Sequence, residues 1–151
     1  MTLATQISAV VMLVAGGLWA GVIFTYAVER VNLWGRMPID QYVVDFRRSV
    51  YRADPLQPIL GIVATVAAVV FALSSVGLAS TFAWIGIGLV LLVIVLSIAF
   101  PERINSQFRR RKEGEAPPNV EDLRVRWRRL HLIRTVPAVA SLVALAISVV
   151  L

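Results

Sequence analysis

A chain of 151 residues that is 58% hydrophobic carries more apolar surface than a soluble domain of its length can bury, so the excess must face something other than water. The absence of cysteine excludes disulfides, thiolate metal sites, iron–sulfur clusters and a cysteine-linked lipid anchor. A net charge of +6 would suit a nucleic-acid partner, but all 15 basic and nine acidic side chains fall in two windows, Glu29–Asp54 and Glu102–Arg134, a segregation that reflects a bilayer and not a nucleic-acid interface.

At about 1.5 Å per residue, about 20 residues of helix cross the hydrocarbon. Leu3–Val28 is long enough for a first span. It lacks the basic leading segment of a signal peptide and its apolar stretch is too long for one, so it is read as a retained span. Gly17-Leu-Trp-Ala-Gly21 inside it is a GxxxG pattern, which lets two helix backbones approach closely, either within the fold or between two copies. After it, Ile39, Val43, Phe46 and Val50 recur at helical spacing with Asp40, Asp45, Arg47 and Arg48 opposite. Pro38 suits the first turn and Asp54-Pro55 closes the segment, which predicts a short amphipathic helix on the membrane surface.

Pro55 to Pro101 is an unbroken uncharged run that would reach about 70 Å as one helix, more than twice the hydrocarbon thickness. It must fold back, and Gly77-Leu-Ala-Ser-Thr81 is the expected turn, giving spans 56–76 and 82–100. The stretch Arg109–Pro118 reads as a polar excursion. Asn119 is placed to cap a helix that starts near Glu121 and runs straight into a fourth span, 132–151. The expected fold is therefore all-α and integral to the membrane: one domain over residues 1–151, a bundle of four transmembrane helices. Since both charged windows hold all the Lys and Arg, the positive-inside rule puts both loops in the cytoplasm and both termini outside. Arginine-rich, lysine-poor usage with an Ala/Val bias suggests a bacterium with a GC-rich genome, hence the bacterial cytoplasmic membrane.

Four sets of polar residues should share one depth at the cytoplasmic interface: Tyr26, Glu29 and Arg30; Arg52, Asp54 and Gln57; Glu102, Arg103 and Asn105; Trp127, His131 and Arg134. Trp127, His131 and Arg134 are spaced i, i+4 and i+7 and share a helix face. Two readings follow, interfacial anchors or a polar pocket capping an apolar bundle. With one histidine, bis-histidine haem ligation within the chain is excluded, and His131 with Asp54 or Glu29 makes too lean a set for a metal to be expected. No Walker, HExxH or glycine-rich phosphate motif occurs.

The Ile104-Asn105 pair, Pro117-Pro118 and the run Arg126-Trp127-Arg-Arg-Leu-His131-Leu-Ile-Arg134-Thr135 resemble the anthrone-oxygenase-like family, small four-helix membrane proteins grouped as a domain of unknown function. Weaker matches are Phe24-Thr-Tyr-Ala-Val28 and Asp54-Pro-Leu-Gln-Pro58. Glu102 and Arg103 intervene between Pro101 and Ile104, where the family places its proline directly before the Ile-Asn pair. The resemblance implies a cofactor-independent oxygenase acting on a hydrophobic aromatic substrate. An acidic C–H flanked by aromatic rings, once deprotonated, gives an electron-rich carbanion able to react with dioxygen unaided. His131 would be the base, Arg134 and Asn105 the anion stabilisers, and Trp127 an aromatic wall; Asp54, Gln57, Glu29 and Tyr26 would complete the substrate pocket. Neither a cofactor nor a metal is expected. The alternative is a non-catalytic membrane component, a small subunit of a larger complex or homo-oligomer, or a lipid- or quinone-binding protein, supported by the GxxxG pattern and the basic loop. A channel or transporter has little support, as no charge lies mid-span.

Overall fold

The computed structural model describes residues 2–53 and 55–151 and is all-helical over them. Helix α1, Leu3–Thr25, starts at Thr2, whose hydroxyl accepts from the Thr5 N–H at 3.2 Å. It buries Met12, Trp19 and Ile23 on one side and exposes Ile7, Val10, Val14 and Leu18 on the other, the surface of a helix that is apolar all round. The chain does not stop at Val28. It passes through a π-helical turn, Tyr26–Arg30, into α2, Val31–Arg36, because nothing breaks it before Pro38.

Helix α3, Ile39–Ala53, is the amphipathic element that the spacing predicts. Its apolar face is not laid on a membrane, however. Tyr42, Val43, Phe46 and Val50 are buried against Trp34, Ile104, Phe108 and Trp127, so protein occupies the face that lipid was expected to cover.

Helices α4, Leu56–Leu73, and α5, Gly77–Ala99, are joined by a tighter turn than expected. The reversal is at 74–76, and Gly77, with φ +63°, opens α5 rather than a loop. Leu78–Thr81 join the helix because the hydroxyls of Ser80 and Thr81 bond the carbonyls of Ala72 (2.9 Å) and Gly77 (3.1 Å), which removes the desolvation cost of two polar groups. The backbone breaks at Phe100 and restarts as α6, Pro101–Arg109, with Pro101 at its first position. This helix was not foreseen, although Pro101, Ile104, Asn105 and Phe108 follow helical spacing and are its buried side. Helix α7, Val120–Val150, is continuous, as expected, and at about 46 Å long it exceeds the roughly 30 Å of a bilayer core. Asn119 does precede it, but by a left-handed backbone (φ 54°) and without a side-chain capping bond.

Among the described residues, four stretches are long and apolar enough to cross a membrane: Leu3–Arg36, Ile39–Leu73, Gly77–Ala99 and Val120–Val150. Helix α1 packs on α4 and α7, and α5 packs on α4 and α7. The two charged windows meet at one end, where Arg48 pairs with Glu113 at 3.2 Å and the Tyr51 hydroxyl donates to the Arg109 carbonyl at 3.3 Å.

The expected role of Gly17 and Gly21 within the fold is corrected: a Cβ at either would meet nothing within 4 Å. Close approach is made elsewhere. A Cβ on Gly86 would lie 2.6 Å from the buried Leu145 Cδ2 and 3.3 Å from the Ser141 carbonyl, so Gly86 sets the α5–α7 distance. Gly86→Ala is expected to destabilise the protein by about 1–3 kcal/mol in denaturant titrations in mild detergent, as overpacking does. Gly88→Ala, at a helical position open to space, should not lower the midpoint.

Candidate functional site

The charged end is closed by an aromatic cluster. Trp34 meets Phe46 at 5.0 Å and Trp127 at 5.2 Å between ring centroids, and Phe46 meets Phe108 at 4.5 Å, mostly in edge-on or tilted arrangements that suit aromatic quadrupoles. Two arginines of α7 tie α2 to this cluster. Arg124 Nη1 donates to the carbonyls of Trp34 (3.2 Å) and Met37 (2.7 Å), its Nη2 pairs with Glu121, and Arg128 Nε donates to the Val31 carbonyl at 2.7 Å. Arg124 thus serves the C-terminal end of α2, where carbonyls lack helical partners, while Arg128 holds the first residue of that helix.

Beneath the cluster lies a buried polar chain. Trp127 stacks on His131 (4.7 Å, 17° between planes), and its Nε1 donates to Asn105 Oδ1 at 2.9 Å. His131 is wholly buried. Its Nε2 lies 2.9 Å from the Ile23 carbonyl, while Arg134 Nε and Nη2 lie 3.3 and 2.9 Å from Nδ1. A guanidinium can only donate, so Nδ1 must present its lone pair, and the proton sits on Nε2 facing Ile23. The ring is therefore neutral with both nitrogens engaged. The Ile23 carbonyl stands just before the π-helical turn of the first long helix, a place where backbone pairing is rearranged and a side chain can enter the ladder. Arg134 also donates from Nη1 to Ser97 Oγ at 2.9 Å.

A cavity of about 270 Å³ opens beside this chain. Trp19, Ile23, Ile94 and Ile98 form its apolar walls; Gln57, Ser97, Glu102, Asn105 and Arg134 supply its polar groups. Glu102 is ion-paired with Arg109, which keeps a carboxylate at the rim. A much smaller void of about 10 Å³, reached by Gln57, Asn105, Trp127, Arg134 and Tyr26, lies between the cavity and the aromatic cluster.

Of the residues singled out from the sequence, the structure brings together Asn105, Trp127, His131, Arg134, Gln57 and Tyr26, whose ring is 6.0 Å from that of His131. Asn105, Arg134 and Gln57 line the larger cavity, as does Glu102 from the same polar sets; His131 stands behind Arg134. Glu29 is not brought in: its side chain is exposed and lies 3.9 Å from Arg30. Asp54 lies outside the described residues. Sequence reasoning did not assign Trp19 or Ser97 to the site, and it placed Glu102 among the polar residues expected at that depth without giving it a role. Trp19 and Ser97 sit inside apolar runs and carry no motif, and α6 sets Glu102 at the cavity rim.

Helical throughout its described residues, with four helices there able to cross a bilayer and a buried polar chain beside a cavity at one end, the chain is of a class compatible with a multi-pass membrane protein. The family model for anthrone oxygenase matches residues 46–144, from α3 to α7, and the chain belongs to that family. Searches against characterised proteins and solved structures gave no match.

Proposed function

We propose that the protein is a membrane-embedded, cofactor-independent oxygenase whose substrate is a hydrophobic aromatic with an acidic C–H, bound in the cavity beside Arg134. The observation that carries this reading is the juxtaposition, in one cavity, of an apolar wall with a carboxylate and an arginine that is bonded to His131 and Ser97. Its volume, about 270 Å³, falls just below the roughly 300 Å³ at which ligand pockets begin, and suits a flat, compact molecule.

In this reading Glu102 takes the proton from the C–H, and the charge spreads onto an oxygen of the ring system. Arg134 and Asn105 hold that developing oxyanion. The carbanion adds dioxygen, the peroxide formed takes up a proton, and loss of water leaves a ketone. One substrate methylene and one dioxygen become one carbonyl and one water. His131 enters as the residue that orients Arg134, not as the base that the resemblance implies, since its one lone pair faces the guanidinium. Trp127 fixes His131 by stacking and Asn105 by a hydrogen bond.

The charged end faces the cytoplasm in this proposal, both termini lie outside, and the membrane is a bacterial cytoplasmic one. Support comes from the 15 Lys and Arg, all in the two windows that meet at that end. The test is oxygen uptake by protein in liposomes supplied with an anthrone. Wild type should consume one dioxygen per anthrone, and Glu102→Gln should lose about 100-fold or more in rate. Uptake no faster than in protein-free liposomes would refute the reading. The open Gly17–Gly21 face favours a second one, docking to another membrane helix as part of a larger complex. A stoichiometric protein partner on gentle extraction would support it.

A further inference from the structure

From the groove along α7 and the arginines at its end, we infer that the protein has a seat for one anionic phospholipid, separate from the cavity beside Arg134. The groove, about 660 Å³, runs between α1, α5 and α7 and is walled by Phe24, Ile85, Leu89, Val136, Val139 and Val143. It follows α7 from Ile147 to Thr135, about 18 Å at 1.5 Å per residue, close to the roughly 15 Å of one hydrocarbon leaflet. An acyl chain is the shape that fills such a trough.

The charge at its end decides the headgroup. Arg129 precedes Val136 by seven residues, two helical turns, so it lies on the groove's side of α7 with exposed Leu132 and Ile133 between. Arg126 is exposed one turn further on. Arg30, Arg48, Arg109, Arg111 and Arg124 each pair with a carboxylate, whereas among the described residues no carboxylate pairs with Arg126 or Arg129. Of the two acids on this stretch of helix, Glu121 pairs with Arg124, and no ion pair among the described residues joins Asp122 to Arg126 or Arg129. Two uncompensated guanidinium groups just past the end of an apolar trough fit the phosphate of an anionic lipid, which they can reach by extending along the helix. A second copy of the chain would bring its own arginines to the same place, and that repulsion argues against it as occupant.

The test is native mass spectrometry of the protein in mild detergent with equimolar phosphatidylglycerol and phosphatidylcholine. Wild type should retain phosphatidylglycerol at least about tenfold over phosphatidylcholine, as expected for two basic residues at a membrane surface. Arg126→Gln/Arg129→Gln should bring the ratio to within about twofold, and Val143→Trp, which fills the trough, should release both lipids. Arg103→Gln/Arg110→Gln, exposed arginines on α6 and at its C-cap, should leave the ratio unchanged. Equal retention of the two lipids by wild type, an equal loss in the α6 variant, or a dimer that holds no lipid would each overturn the inference.

Discussion

Replacing His131 with leucine is expected to lower oxygen uptake about 100-fold, while His131→Gln should stay within about tenfold of wild type. The difference follows from the hydrogen bonds. His131 accepts from Arg134 and donates to the Ile23 carbonyl, 2.9 Å away on each side. A glutamine amide can supply one acceptor and one donor in the same place, but it cannot act as a base near neutral pH. Leucine can do neither. It takes one of two donors from the Ile23 carbonyl, which keeps the Tyr26 N–H, and removes the acceptor that orients the guanidinium toward the oxyanion; losing one such preorganised donor costs on the order of 100-fold to 1,000-fold in rate. Arg134→Gln should be as poor as His131→Leu, and combining the two should cost little more, since both remove the same interaction. If His131→Gln is as inactive as His131→Leu while its thermal midpoint matches wild type, the imidazole itself carries a proton and the positioning role is wrong.

Arg124→Leu is expected to give the largest loss of stability in the molecule, about 3 kcal/mol or more, seen as a fall of roughly 6–12 °C in Tm by circular dichroism in detergent. Arg124 is nearly buried, bonds two carbonyls at the end of α2, pairs with Glu121 and lies 5.5 Å from the Tyr42 ring centroid. Leucine fills part of the volume but leaves the Trp34 and Met37 carbonyls without those donors beneath an aromatic cluster that excludes water. Arg103→Leu, at an exposed position on α6, should shift Tm by less than about 2 °C. Loss of the α2 anchor should also loosen Trp34 and, through it, Trp127, so near-ultraviolet dichroism should fall before the far-ultraviolet signal does.

The spans were legible in the sequence because uncharged runs and charged windows are one-dimensional facts about solvation. A helix with no charge for 18 or more residues can be recognised without knowing its neighbours. The same holds for α3, whose period shows in Val43, Phe46 and Val50, and for the Trp127–His131–Arg134 face, which needs only helical geometry. What the period cannot tell is the medium that an apolar face meets. Val43 and Phe46 read equally well against lipid or protein, and α6, too short and polar to announce itself, decided for protein.

By itself, then, the sequence determined four apolar helices, a single charged end once they fold back, and the residue types available there for chemistry. Only the tertiary structure decided their roles. It turned Asn105 inward and set Glu102 at the cavity rim by restarting the chain at Pro101, and it set Ser97 beside Arg134 across two helices. It also locked His131 between Ile23 and Arg134 and left Glu29 on the surface. The physical reason is that a side chain's acidity, hydrogen-bond partners and access to substrate depend on neighbours distant in the chain, and spacing within one helix carries no information about them.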